Sequence, residues 1–512
     1  MNTQAIWNAF APEQTFQVLK RDITTDVAII GGGVTGITTA RKLAEKGLKV
    51  AVLESHKIGG GTSGHSTGNL YFTVDSNLEK LNGKYNAEVV GSVVASRSAA
   101  LDQMEKWIRE FQLDCDFKRQ PWYLYSGIGE NDKQIEEEYK YAKKAGIAAD
   151  WADQALFPLK ISKAMSVQHQ AQFNPKLYIQ ELARVVQSEN LSLYENTKVR
   201  KVEENDEKII LTTSGGTVTA RYAVHATHTP KGIKPVQTVL GPHREYGIAC
   251  RLNGADFPEG IFWGYHEEGR KFSTRLYERN GERFVLVVGE PHKVGQAEDN
   301  RQKIRNLENF AGQHFGLTDV AYRWGGQHYR PADLLPYIGR ESKSSNVFIA
   351  TGYSTDGLVW GTLAGMIIAD EIAGIKNRWS DLYNAHRFTP VKSAEKFLKE
   401  NINVAGKYLE NIPGKKDAPD FDSILPETGG VVEKNGEKIA AYKNKNREII
   451  LMSAVCTHMK CIVNWNNAEK TWDCPCHATR FKPDGAVIEG PAYHALHKIK
   501  FEDGKLKKIE QD

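Results

Sequence analysis

Two short boxes near the C-terminus carry the strongest chemistry: Cys456-Thr457-His458, and Cys474-Pro475-Cys476-His477. Together they offer two thiolates and two imidazoles, with 18 positions between their first members. Such a set suits a tetrahedral zinc ion or a two-iron cluster with mixed Cys and His ligation. Four of the six cysteines fall in this window, because Cys461 lies five residues after Cys456. Cys115 and Cys250 stand alone, and a lone Cys is more often a small buried hydrophobe than a nucleophile. A second chemical signal lies near the N-terminus. Gly31-x-Gly33-x-x-Gly36 has the spacing that makes a tight turn, lets a pyrophosphate approach the backbone and packs a helix closely. Glu54, 18 residues past Gly36, is placed to accept hydrogen bonds from ribose hydroxyls and disfavours a 2′-phosphate.

The elements that must position these groups follow from the pattern around them. Asp26 to Ile30 is a short β-branched run of the buried parallel-strand kind, and Ile37, Ala40, Leu43 and Ala44 mark one face of a helix that Gly47 can end. LKVAVLE is a second strand ending in Glu54. The middle of the chain mixes helical stretches (SAALDQMEKWIREF) with strand-like ones (GERFVLVVGE), as in an α+β substrate domain inserted into a nucleotide-binding fold. VFIATGY reads as a strand and GTLAGMIIADEIAG as an apolar helix too short to span a membrane. The sequence then turns polar and helical before PGKKDAPDFD, a linker composition. The expected division is 1–375 (nucleotide-binding parts near 24–75, 170–230 and 325–375), a helical linker at 376–415, and a module at 416–512. That module holds 15 basic and 15 acidic residues, so it is no basic arm.

Composition sets outer bounds. The chain has 512 residues, 40% hydrophobic and 25% charged, the profile of an ordinary globular protein. Lys+Arg 67 against Asp+Glu 63 leaves +4, far from a nucleic-acid-binding stripe. With no apolar run of about 18 residues and no signal-peptide layout at the start, the expectation is a cytoplasmic protein without a membrane span.

GGGVTG, GGGTSGHSTGNL, TARYAVHATH, RWGGQHYRPADLLPYIGR and FIATGYSTDGLVWGTLAGMIIADEI, in this order, resemble the FAD-dependent amine and amino-acid oxidoreductases related to D-amino-acid oxidase, glycine oxidase and sarcosine oxidase. The resemblance covers about 24–375 and implies FAD as cofactor. It places Thr62, Ser63 and Ser66 on flavin or pyrophosphate, Val199 on adenine through its backbone, and Gly352, Asp356, Gly357 and Leu358 along the isoalloxazine. GTSGHSTG is similar to the segment of dimethylglycine and sarcosine dehydrogenases whose His is bonded covalently to FAD, which makes His65 the candidate for such a bond, a His packed beside a noncovalently held flavin being the alternative. Arg330 resembles the carboxylate-binding Arg of glycine oxidase, although its spacing to Asp333 also allows a structural ion pair. His328 and Tyr353 fall in flavin-bordering segments and are candidates for acid/base or substrate-orienting roles. Val359 stands where sarcosine oxidases carry a carboxylate-binding Lys, which weakens any inference of amino-acid specificity.

CTHMKC, CPCHATRF and GPAYHAL resemble the two cluster boxes and the glycine-proline loop of Rieske proteins. The resemblance implies a [2Fe-2S] cluster with Cys456 and Cys474 on one iron, His458 and His477 on the other, and a disulfide between Cys461 and Cys476. Thr479 keeps a hydroxyl where respiratory Rieske proteins have Ser, Phe481 replaces their Tyr and Ala478 a Gly. The fold expected is therefore an α/β FAD-binding Rossmann-like domain with an inserted α+β substrate domain, followed by a small all-β Rieske domain. The function expected is a dehydrogenase that oxidises a small-molecule substrate, an amine or amino acid, and passes electrons singly through the cluster to an external acceptor. A hydroxy-acid or polyol substrate, the reverse flow from an external donor, and a non-catalytic electron carrier or redox sensor are the alternatives.

Overall fold

A computed structural model of the chain describes residues 3–387 and 421–509, apart from 13, 76, 128–130, 206, 255 and 503–504. The apolar run ending at Ile30 forms the strand Ile23–Ile30, whose last four residues are buried. It pairs in parallel with Thr217–His225 on one side and Val50–Leu53 on the other. The glycine loop therefore leaves from the middle of a sheet ordered Tyr337–Arg340, Val347–Thr351, Thr217–His225, Ile23–Ile30, Val50–Leu53, Leu191–Tyr194. The strands Val199–Glu204 and Ile209–Thr213 extend it as a meander beside Thr217–His225. The helices Val34–Ala44 and Gly357–Ile372 cover one face and approach closely. A Cβ on Gly365 would stand 2.6 Å from Thr38 Cγ2, which is why the second helix is rich in small residues.

The inserted domain is a nine-stranded mixed sheet. Its edge holds the strands Val320–Pro331 and Leu240–Arg251, antiparallel over eleven residue pairs. The helix Asn300–Phe315 packs on it, whereas Ala87–Glu110 packs on the helix Gly357–Ile372, and each is capped by a side chain: Asn86 accepts from the Val89 N–H, and Asp299 from those of Arg301 and Gln302.

Residues 421–509 form small sheets, Thr428–Lys434 with Glu437–Lys443 and Ile449–Ser453, and Asn464–Asn466 with Thr471–Asp473, Arg480–Phe481 and Val487–Glu489. Trp472, Phe481 and Met452 fill their core. The helical linker expected at 376–415 lies outside the described residues from 388 onward. Before that point, the helix Ser380–Tyr383 is fixed on the flavin-type domain by a hydrogen bond between the Tyr383 and Ser96 hydroxyls. Among the described residues no helix is long and apolar enough to cross a membrane.

Candidate functional site

The helix Val34–Ala44 begins at Gly33 without a side-chain cap, so its first N–H groups face the loop unsatisfied except for Val34, which donates to Ser63 Oγ at 3.2 Å. A Cβ on Gly36 would collide with the Gly31 carbonyl, so the turn admits no larger residue there. Glu54 reaches the same loop: its carboxylate accepts from the N–H groups of Gly32 and His56, each at 2.8 Å. Thr197, whose N–H donates to the Glu54 carbonyl at 2.8 Å, carries the chain to Val199, the first residue of its strand. An uncapped helix start, a glycine turn and a strand-end carboxylate form a cradle that fits the pyrophosphate and ribose of a dinucleotide.

Thr62–His65 forms a short 3₁₀ turn beside this cradle. The Ser66 hydroxyl donates to the Ser63 carbonyl at 2.9 Å, and the Ser66 carbonyl accepts from Trp7 Nε1 at 2.8 Å. His65 Nδ1 lies 2.9 Å from the Gly61 carbonyl, and burial holds the ring below the ordinary histidine range. The Nδ1–H therefore donates and Nε2 keeps its lone pair. Gly352 follows the strand Val347–Thr351, and Gly357 and Leu358 start the helix Gly357–Ile372. The Asp356 side chain turns elsewhere: it accepts from the Tyr71 hydroxyl at 2.6 Å and the Asp75 N–H at 3.0 Å, and pairs with buried Arg97 at 3.3 Å. Burial pushes this carboxyl up against the pull of Arg97. Tyr353 is also committed, its hydroxyl 3.2 Å from Thr35 Oγ1 and its phenol pushed far up by burial.

The edge ribbon organises the rest. Cross-strand pairs His243 with His328, Glu245 with Gly326 and Gly241 with Arg330 put these residues on one face, and alternation puts Arg244, Tyr246, Gln327 and Tyr329 on the other. Arg330 Nε donates to His328 Nε2 at 3.1 Å, which requires a neutral imidazole, and burial together with the Arg330 charge holds His328 well below its ordinary value. The ion pair that the short spacing allowed between Arg330 and Asp333 does not form, because Asp333 is taken by Arg387 at 2.9 Å. Around this face stand residues that sequence reasoning missed: Glu245, Asp75 and Lys271, the last 3.6 Å from Asp75 and 4.1 Å from the Trp263 ring centre. The only sequence signal for Glu245 is its position two residues after His243 on the same strand face.

In the C-terminal module Cys456 and Cys474 are buried, and Cys461 is joined to Cys476 by a disulfide. The sulfurs of Cys461, Cys474 and Cys476 lie within 4.8 Å of one another, but a disulfide leaves two of them no thiolate to offer a metal. His458 and His477 stand with ring centres 4.9 Å apart, and the Nδ1 atom of each is buried with no hydrogen-bond partner among the described residues. Two orphaned imidazole nitrogens beside two buried thiols are the donor set of a mixed two-iron site. Ala478 sits at φ +55, a left-handed conformation that explains why the resembled pattern has Gly there. Cys115 and Cys250 are buried thiols, each pushed up to about 12 chiefly by burial, and serve packing.

The Thr479 hydroxyl bonds to Cys456 and accepts the Ala492 N–H at 3.3 Å, whereas fully buried Phe481 offers no hydroxyl. A hydrogen bond to a ligand sulfur favours the more negative reduced state. If it favours that state by about 1 kcal/mol, the one-electron potential rises by about 40 mV. Phe481→Tyr is therefore expected to raise the cluster potential by roughly this amount, read in a redox titration followed by EPR. An unchanged or lower value defeats the assignment.

The module docks on the back of the ribbon. Gln327 Nε2 donates to the Ala478 carbonyl at 3.1 Å, the Tyr329 hydroxyl donates to the His477 carbonyl at 3.2 Å, and His458 Nε2 donates to the Gly232 carbonyl at 3.1 Å. Arg244 is bidentate to Glu469. From the loop of Thr62 a second chain of contacts arrives: Thr62 Oγ1 lies 3.2 Å from His228 Nδ1, and the His228 and Tyr329 ring centres are 4.8 Å apart.

Comparison with known proteins agrees with both halves. The FAD dependent oxidoreductase family matches residues 26–371 and the Rieske [2Fe-2S] domain residues 421–501. YhfW of Bacillus subtilis, described as a Rieske 2Fe-2S iron-sulfur protein, is 29% identical over 97% of each chain. The gamma-glutamylputrescine oxidoreductase of Escherichia coli is 26% identical over 74% of this chain and 89% of its own. The crystal structure of glycine oxidase from Geobacillus kaustophilus superposes with a TM-score of 0.58 at 19% identity, covering 72% of this chain and 99% of that one. The cradle, the orphaned imidazoles and a family match over more than half of the sequence lead to one statement: this chain belongs to the FAD dependent oxidoreductase family and carries a C-terminal Rieske [2Fe-2S] domain.

Proposed function

We propose that the protein is a dehydrogenase that oxidises a small amine or amino acid and passes the electrons singly from the flavin, through the Rieske cluster, to an external one-electron acceptor. The observation that carries this reading is the shared ribbon. One β-layer, Leu240–Arg251 with Val320–Pro331, bears Glu245, His328 and Arg330 on the face toward the flavin loop, while Gln327 and Tyr329 on its back hold the carbonyls of His477 and Ala478. When bound, the flavin supplies two-electron oxidation and the cluster one-electron transfer.

In this reading the backbone at Gly31, Gly33 and Gly36 receives the pyrophosphate, Glu54 the ribose and Val199 the adenine. Thr62, Ser63 and Ser66 line the flavin from one side, with the backbone of Gly352, Asp356, Gly357 and Leu358 on the other. Cys456 and Cys474 bind one iron, and His458 and His477 the other through Nδ1. Arg330 faces the substrate, and neutral His328 orients its guanidinium. Anaerobic addition of amines, amino acids and hydroxy acids, with flavin absorbance and the Rieske EPR signal followed together, tests the relay. Bleaching followed by growth of the EPR signal with an amine supports it. Bleaching with no EPR growth, or reduction of neither centre by the panel, removes it.

We further propose that FAD is bonded covalently to His65, through the Nε2 that the Gly61 contact leaves with its lone pair, the new C–N bond replacing a C–H bond of the flavin's methyl group, with two electrons passing through the flavin to the proposed external acceptor and the proton to solvent. Acid precipitation is expected to leave the yellow colour in the pellet, and His65→Ala to release it. Colour wholly in the supernatant of the unaltered protein rules the bond out.

A further inference from the structure

Between the cofactor cradle and the cluster loops the side chains touch at every step, and His228 stands at the start of that path. Three segments of the cradle surround it. Ala226, two residues earlier, donates its N–H to the Ile30 carbonyl at 2.9 Å, and a Cβ on Gly31 would stand 2.5 Å from the Ala226 oxygen. The Thr351 hydroxyl, next to Gly352, donates to the His228 carbonyl at 2.7 Å. The third segment is the flavin-type loop, whose Thr62 Oγ1 lies 3.2 Å from His228 Nδ1. On its far side the His228 ring meets Tyr329 edge to face, with centres 4.8 Å apart and planes at 73°. The Tyr329 hydroxyl then donates to the His477 carbonyl at 3.2 Å.

The proton positions along this path follow from the contacts. Thr62 has one hydroxyl hydrogen and a carboxylate only accepts, so the 3.3 Å contact of Thr62 Oγ1 with Glu489 Oε2 uses that hydrogen. His228 Nδ1–H therefore donates to Thr62 Oγ1. Burial pulls the imidazole down to about 4 and holds the Tyr329 phenol well above its ordinary value, so both rings are neutral near pH 7. His228 also sits at φ +65, the left-handed conformation that glycine adopts with less strain. A turn alone would be served by glycine, whereas an imidazole at this place fills the space between Thr62 and Tyr329.

Resting on the proposed relay, we propose that His228 and Tyr329 form the bridge by which electrons cross from the flavin to the cluster, leaving the cradle beside Thr62 and arriving at His477. An electron tunnels more readily through hydrogen-bonded and packed atoms than across a gap, and this path is closed by contact from the Thr62 hydroxyl to the His477 carbonyl. At each crossing the reduced flavin loses one electron and one ferric iron of the cluster becomes ferrous. The cluster hands that electron to the external one-electron acceptor before the next crosses. Two crossings return the flavin to its oxidised form, and the proton it carried goes to solvent. Neither ring is itself oxidised or deprotonated.

The test is laser flash photolysis of the anaerobic holoprotein, with a photoreduced deazaflavin delivering single electrons and absorbance following their redistribution between flavin and cluster. No substrate is needed, and a rate independent of protein concentration marks transfer within one chain. Tyr329→Phe keeps the ring and removes one hydrogen bond of ordinary strength, so the closed contact with His477 is populated less and the transfer is expected to slow about fivefold. His228→Gly suits the backbone and removes both a hydrogen bond and a ring pair, and is expected to slow it about tenfold or more. Flavin absorbance and the Rieske EPR signal check that each variant keeps both centres, and if His228→Gly loses one, Tyr329→Phe decides. An unchanged rate in either intact variant overturns the bridge and leaves the relay standing. Slowing that a redox titration accounts for entirely by a lower cluster potential overturns it too. Absence of redistribution in the unaltered protein overturns the bridge and the relay together.

Discussion

Arg244→Met is expected to destabilise the protein by about 3–5 kcal/mol and to slow the proposed transfer between flavin and cluster at least tenfold. Arg244 is 2% exposed and lies between the two halves of the chain, bidentate to Glu469 and 3.6 Å from Glu489. Arg480 meets the same two carboxylates, at 3.3 and 2.8 Å, and Asp473 at 3.0 Å. Removing Arg244 leaves three carboxylates, Asp473 buried and Glu469 and Glu489 half-buried, over one guanidinium, which is the costly way to break such a network. Burial alone would raise Glu469, but Arg244 and Arg480 outweigh it and hold the carboxyl at about 2. A carboxylate depressed in the folded state contributes stability that is complete above its unfolded value, near 4.3, and is lost as the pH falls toward 2. In the variant Glu469 rises toward its unfolded value, so the stability it can lose on acidification shrinks and the loss is complete at a higher pH. Denaturant unfolding at pH 7 and pH 5 reads the first effect, and rapid-mixing absorbance the second. A variant with unchanged midpoints and unchanged transfer would show that this contact neither holds nor aligns the Rieske domain.

What could be read from the sequence depended on how far apart the cooperating residues lie. The glycine turn with Glu54 and the two Cys-His boxes are local, so spacing alone exposed their chemistry. The ribbon was visible only as a motif. In WGGQHYR, Gly325 allows Arg244 and Glu469 to approach on the back, since a Cβ there would stand 2.5 and 2.8 Å from their polar atoms, and Gly326 faces the His65 carbonyl on the front. Two adjacent glycines thus serve opposite faces, a meaning that appears only when the strand's alternation is set against both neighbours. The hydrogen bonds that dock the Rieske domain join residues 148 or more positions apart, as in Tyr329 with His477 and, 226 apart, His458 with Gly232. The charged groups around the ribbon's inner face, Asp75, Glu245, Lys271 and Arg330, come from four separate segments. Asp333 escaped for the same reason, since its partner Arg387 lies 54 residues away on the approach to the linker.

The disulfide allows a similarly large and separable test. Joining Cys461 to Cys476 closes a loop with a sequence separation of 15, and in the chain-entropy account such a cross-link is worth about 3 kcal/mol. Both sulfurs are almost completely buried beside Cys474, so serines in their place also bury two hydroxyls, at about 1 kcal/mol or more for each left unbonded. The double variant Cys461→Ser, Cys476→Ser is expected to lose iron to a chelator in a time over which the unaltered protein keeps it, while its FAD content stays the same, because the glycine cradle lies in the other half of the chain. The comparison needs the double change. Cys461→Ser alone frees a thiol at Cys476 within reach of Cys474, and that thiol competes for iron instead of merely loosening the loops. Iron and flavin contents measured together after chelation separate the cases: parallel loss of both means that the two halves unfold as one unit, and retention of both means that the protein contacts at His458, His477 and Ala478 hold the cluster loops without the cross-link.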